Sequence, residues 1–139
     1  MADTNLNTRP IYSGAPIITW CTLLTANTAK DGTGTVSTAF TADATSGGRI
    51  EKLKVRTTGT NVATVLRIFI NNGSTNATAA NNTLYQESTI AATTVSEVAA
   101  QLDNEIILNL ALPAGYKINV TIGTTVAASL AIAGIGGKF

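Results

Sequence analysis

Short runs of Val, Ile, Thr and aromatic residues, each bounded by Gly, Asn, Asp or Pro, recur along the chain from residue 17 onward. Within several of them apolar and polar side chains alternate, which sets them on opposite faces of a strand; a helix needs apolar spacings of three to four. In residues 49–57, Leu53 and Val55 fall on one face and Lys52, Lys54 and Arg56 on the other, so one side is buried and the other wet. In residues 61–70, Leu66, Ile68 and Ile70 share a face and Val65, Arg67 and Phe69 share the opposite one. That strand should be covered on both sides. A helix there would carry Arg67 into the aliphatic stripe.

The same reading predicts eight strands, at residues 17–24, 35–41, 49–57, 61–70, 83–90, 105–110, 116–122 and 126–135. Gly32 and Gly34 in Lys30-Asp31-Gly32-Thr33-Gly34 predict a turn, with a hairpin joining the first two strands. Residues 71–82, NNGSTNATAANN, are polar and too long for a minimal hairpin turn, so they are expected to be an exposed loop. Residues 92–104 have some helical character, but their β-branched residues favour a loop. The expected fold is all-β: a two-sheet antiparallel sandwich, a jelly roll with about eight strands. The uneven links disfavour an up-and-down barrel, and a seven-stranded immunoglobulin-like sandwich is the main competitor. Residues 1–16 carry Pro10 and Pro16 around Ser13-Gly14, show no periodicity, and read as an extended N-terminal arm before a single domain at 17–139.

Composition narrows the function. A chain of 139 residues with 45% hydrophobic content is long and apolar enough for one core. Nine Lys plus Arg against eight Asp plus Glu leave a net charge of +1, no field for drawing in nucleic acid or an anionic membrane. No run reaches the 18 or so apolar residues of a membrane helix, and residues 126–135, the nearest approach, are interrupted by Ser and Gly. The opening MADTNLNTRP has neither a basic region nor an apolar segment of a secretory signal, so synthesis in the cytoplasm is expected. Cys21, the single cysteine, excludes an intrachain disulfide; beside Trp20 in an apolar run, it reads as a small buried hydrophobe without chemistry.

There is no histidine, which removes the commonest general base, the usual zinc ligand and the Ser-His dyad. The acids Asp31, Asp43, Glu51, Glu87, Glu97, Asp103 and Glu105 are scattered over predicted turns and strand ends. Asp103 and Glu105, two residues apart, read as surface charges near a strand start rather than a catalytic pair. Asp43, Asn61 and Asp103 offer oxygen ligands but belong to no calcium-loop pattern, and the glycines at 47–48 and 134–137 lack the lysine and serine of a phosphate loop. No catalytic residue, metal, cofactor or small-molecule substrate is expected. The strip Lys52, Lys54, Arg56 places three cations about 7 Å apart, suited either to an acidic partner or to an ordinary solvated face. No aromatic interleaves with them as nucleic-acid stacking would require.

Three stretches carry a resemblance: Ala26-Asn27-Thr28-Ala29-Lys30-Asp31-Gly32-Thr33-Gly34; Thr60-Asn61-Val62-Ala63-Thr64-Val65-Leu66-Arg67-Ile68-Phe69-Ile70-Asn71-Asn72-Gly73; and Leu112-Pro113-Ala114-Gly115-Tyr116-Lys117-Ile118-Asn119-Val120. With them the chain resembles the capsid decoration (cement) proteins of tailed bacteriophages. The resemblance implies a jelly-roll protomer, commonly a homotrimer, seated on the outside of an icosahedral head against the major capsid protein. On that expectation the partner-binding residues are Arg9, Pro10, Ile11 and Tyr12 of the arm with Lys52, Lys54 and Arg56 of the strip. The alternative is a tail, collar or fibre component that binds a glycan or receptor through residues 71–82 and Tyr85 or Tyr116.

Overall fold

Residues 14–139 are described by the computed structural model, and within them the strands pair almost entirely with partners distant in sequence. In chain order they are β1 (Ala15–Leu23), β2 (Ser37–Thr41), β3 (Gly48–Thr57), β4 (Thr64–Asn71), β5 (Asn82–Ile90), β6 (Asn104–Leu112), β7 (Lys117–Ile122) and β8 (Leu130–Lys138). A first sheet has the order β1-β8-β3-β6 and a second the order β2-β7-β4-β5. Every pairing is antiparallel. The pairs β1·β8, β2·β7, β3·β6 and β4·β5 are those of one long hairpin bent between β4 and β5, and rolling it up adds β3·β8 and β4·β7. This is jelly-roll connectivity in an eight-stranded sandwich.

Three local expectations change. The first two strands form no hairpin: β1 lies in the first sheet and β2 in the second, joined by residues 24–36. Non-local pairing wins because β1 finds its full-length partner in β8, nine residues against nine, from Ala15↔Lys138 to Leu23↔Leu130. The last strand also begins later than its apolar run and continues through the terminal glycines. A Cβ at Gly134 would run into the Ala39 carbonyl, and one at Gly136 into the Arg49 carbonyl, so these glycines mark close backbone approach rather than a strand end. Ala15 and Pro16 are already part of β1, inside the expected arm boundary, with Pro16 on a sheet edge where its missing N–H is tolerated.

The inward faces meet in one core. Phe40, Ile50, Leu53, Val55, Leu66, Ile68, Ile118, Val120, Ile122 and Ile132 are all fully buried in it. Each large side chain buried in this way contributes about 1.5–3 kcal/mol relative to exposure. Near β1 and β2 the two sheets are stitched together by side chains: Thr19 Oγ1 donates to the Ala39 carbonyl (2.6 Å) and Ser37 Oγ to that of Thr22 (3.3 Å). Strand alternation gathers the loops at two ends. Residues 24–36, 58–63, 91–103 and 123–129 form one end, while 42–47, 72–81 and 113–116 form the other with Gly14 and the C-terminus. At the latter, the N–H of Gly14 donates to the Lys138 carbonyl and that of Gly115 to the Asp43 carbonyl (3.1 Å).

Candidate interaction surfaces

The outward face of the first sheet is half apolar and half charged, and the strand register dictates which half is which. Across the sheet, Trp20, Ala133, Lys54 and Glu105 stand in one row, and Ile18, Ile135, Lys52 and Ile107 in the next. On the β1 and β8 side, Trp20 is 76% exposed and Ile18 60% exposed, with the small side chains of Ala131 and Ala133 beside Trp20 and Ile135 beside Ile18. An exposed Trp within a regular sheet face leaves on the order of 150–200 Å² of ring surface in water. The sequence pattern did not single these residues out, because residues 17–24 are apolar at both odd and even positions. The available signal was Ile18 and Trp20 standing in register with each other on the face opposite Ile17 and Cys21.

On the β3 and β6 side, Lys52, Lys54 and Arg56 stand together on β3 as the spacing predicts. Their charges are engaged from β6 and the residues before it. Lys52 Nζ meets Glu105 Oε1 at 3.2 Å, and Lys54 Nζ lies 2.8 Å from Asp103 Oδ1 and 3.0 Å from Glu105 Oε2. Arg56 donates to Asp103 Oδ1 (2.8 Å) and to the Leu102 carbonyl (3.0 Å). The ladder holds the carboxyls of Asp103 and Glu105 below the usual range, in each case mainly through the hydrogen bond from Lys54, and raises Lys54 through Asp103 and then Glu105. A general acid needs a carboxyl shifted the other way. The strip is therefore part of a ladder of three cations and two carboxylates in which every cation is paired, so most of its positive field is already spent. Arg9, Pro10, Ile11 and Tyr12 lie outside the described residues.

The outward face of the second sheet is covered over β4 and β7, while Leu84, Glu87 and Thr89 of β5 stay exposed. Phe69, Asn71, Asn119 and Thr121 point away from the core yet are buried, so both faces of β4 are covered, as its alternating pattern predicts. The span 24–36 is fastened along this face, the Asn27 N–H donating to the Ile122 carbonyl (2.9 Å) at one end and Asn76 Nδ2 to the carbonyls of Gly32 (3.2 Å) and Gly34 (2.8 Å) at the other. Beneath it Arg67 Nε pairs with Glu87 (2.8 Å), and its guanidinium rests against Gly123.

Residues 72–81 form a hydrogen-bonded loop with a short 3-10 turn at Ala79–Asn81. Its amides are largely spent internally: Asn71 Nδ2 donates to Asn82 Oδ1 (2.8 Å), Asn81 Nδ2 to the Thr75 carbonyl (2.8 Å), and Asn82 Nδ2 to that of Asn76 (2.9 Å). Tyr116 joins Asn72, Asn81 and Asn82 around a shallow depression of about 270 Å³, while Tyr85, on β5, stands outside it. Cys21 is half-buried on the inward face of β1, and burial pushes its thiol up to about 11. Among the described residues no three His, Cys, Asp or Glu side chains come together as a metal-binding group, and no helix is long and apolar enough to cross a membrane.

Comparison of the chain with protein-family models, with curated proteins and with solved structures finds no match.

Proposed function

We propose that this chain is a structural virion protein without catalytic activity, a capsid decoration protein that binds the outside of a phage head and associates with its own copies. The observation that carries the reading is the outward face of the first sheet: Trp20 and Ile18 exposed on a regular strand, beside a ladder whose cations are already paired. Surface of this kind favours packing against protein and supplies no reactive centre. The jelly roll agrees with the reading, since capsid and lectin domains use it. Gly14 and the C-terminus lie at one end of the sandwich, beside the loops 42–47 and 113–116. The arm, with Arg9, Pro10, Ile11 and Tyr12, is the proposed anchor on the major capsid protein. Weak contacts repeated over many sites on a head would gain strength by avidity. The test is binding of the purified chain to heads lacking it, followed by challenge of those heads with heat. The full-length chain should bind and protect, and a chain without residues 1–13 should do neither. Unchanged binding and protection by the shortened chain would refute the anchoring role.

A tail or fibre component that binds a glycan is the second reading, favoured by Tyr116 and three asparagines sharing one depression. Internal use of the Asn81 and Asn82 amides weakens it. A glycan array should then show binding that Tyr116→Ala removes; an array without binding refutes it.

A further inference from the structure

The bare half of the first sheet fits a second copy of the same chain. We propose that two copies pack these faces together about a two-fold axis running along β8, an inference that rests on the role proposed above as a self-associating structural protein. A two-fold parallel to the strands preserves height along them, so the rows decide what meets what. With β8 on the axis, β1 of one copy covers β3 of the other. Trp20 then lies over Lys54 of the second copy, its row-mate across Ala133, and Ile18 lies over the stem of Lys52. Each contact occurs twice.

Three features make the face complementary to itself. The residues brought to the axis are Ala131, Ala133 and Ile135: the two alanines let the sheets close where Trp20 reaches across, and Ile135 meets its own copy one row away. The ring of Trp20 meets a cation, an attraction that strengthens as water leaves. The cations it covers are already paired within their own subunit: Lys54 holds Asp103 and Glu105 at 2.8 and 3.0 Å, so covering it strands no charge. Those acids belong to β6 and the residues before it, outside the overlap, and form a solvated polar rim around an apolar centre. The middle of the second sheet's outward face, over β4 and β7, is not open to such a contact, because residues 24–36 are fastened along it. The β6 edge does not compete either. The far edge strand β6 is irregular between Ile107 and Leu110, where Asn109 takes φ 47° and breaks the ladder that edge-to-edge pairing requires.

Three strands about 4.8 Å apart and about 30 Å long give on the order of 400 Å² of flat sheet per copy. With side-chain relief the pair buries on the order of 1,000 Å² in total, the lower end of specific interfaces. The dimer should therefore be weak in free solution and become effective where copies are gathered on a head. A three-fold ring, as the resemblance implies, would need two different patches per copy.

Trp20 is the only tryptophan, so its fluorescence reports this interface directly. Emission wavelength and sedimentation mass are measured together from about 1 μM to about 1 mM, a range that brackets the affinity expected of such an area. The expected result is a blue shift that tracks a change from one protomer to two. Ala133→Lys, which sets like charges across the axis on an outward position, should move the midpoint up at least about tenfold while leaving the far-ultraviolet spectrum unchanged. A mass of one protomer with unshifted emission throughout the range overturns the inference. So does an oligomer, three-fold or otherwise, whose emission stays that of an exposed indole or which Ala133→Lys leaves intact. A monomer that still binds heads would sink this interface and spare the decoration role, whereas a dimer of the expected kind that ignores heads would do the reverse.

Discussion

Asn61 ties three loops together at the end of the sandwich opposite the termini, and its removal has a calculable cost. The side chain is 6% exposed. Its amide nitrogen donates to Thr57 Oγ1 and to the Ala128 carbonyl, both at 2.6 Å, and its oxygen accepts the Ala128 N–H at 2.7 Å. Its backbone separately exchanges a pair of 2.9 Å bonds with Thr93. Asn61→Ala deletes the three side-chain bonds and keeps the backbone pair. At about 1 kcal/mol net per bond the loss is about 3 kcal/mol, trimmed because half-buried Ala128 can take water in exchange. About 2–3 kcal/mol should remain, or about 8–12 °C in Tm for a domain of this size. Asn61→Asp should cost more, since it keeps the acceptor but turns a lone pair toward the Ala128 carbonyl. The assay is urea denaturation at one low protein concentration, where association does not add to apparent stability. A loss below about 0.5 kcal/mol with an unchanged m-value would refute the claim that this side chain couples the loops.

Gly136→Ala places a methyl group against the Arg49 carbonyl, where the obstacle is backbone, and should cost about 3 kcal/mol in the same assay; a neutral result would mean that β3 and β8 approach less closely. The Cys21 thiol, raised to about 11 by burial, should resist thiol reagents at neutral pH and react faster as the pH climbs toward that value. Rapid labelling of the folded protein at pH 7 would contradict its burial. For Asp103 and Glu105 the folded-state pKa is lowered, so their stabilisation is present above the unfolded value, about 4, and lost as the pH falls through the folded one. The double variant Asp103→Asn, Glu105→Gln should therefore show a shallower acid loss of Tm than the parent, and high salt should narrow the difference. Parallel acid profiles would show that the ladder contributes nothing.

Much of the architecture is legible in the sequence because the alternation is local information. Leu53 and Val55 against Lys52, Lys54 and Arg56 announce the two faces of β3, and Phe69 opposite Ile68 announces a strand covered on both sides. What is not legible depends on partners far away in the chain. Gly134 and Gly136 look like a strand end until the Ala39 and Arg49 carbonyls are seen to need their missing side chains. The absence of a β1–β2 hairpin is likewise a decision made by β8, over a hundred residues downstream. The cation strip is visible as spacing, yet its neutralisation by Asp103 and Glu105 is a cross-strand fact that spacing along β3 cannot contain. Trp20 is hidden for the opposite reason. A strand apolar on both faces reads as core, and only the strand order shows that none of the described residues lies over its outward side.

The two sheets solve the same problem differently. Each has an outward face with residues that water serves poorly: Phe69 on the second sheet, Ile18 and Trp20 on the first. The second sheet carries its own cover, because residues 24–36 begin where β1 ends, cross to β2, and are held down by Asn27 and Asn76 on the way. The first sheet has no corresponding connection. Its neighbours in the chain, residues 42–47 and 91–103, turn at the ends of the sandwich instead of crossing its face. Its charged half is paired strand against strand, which leaves Ile18 and Trp20, with Ile107 on β6, as the large apolar side chains exposed on this face. Among the described residues, thirteen are spent across one sheet while a tryptophan stays bare on the other, and that bare face is the one the dimer inferred above would cover. Without such a partner, exposure of Ile18 and Trp20 has no compensating gain.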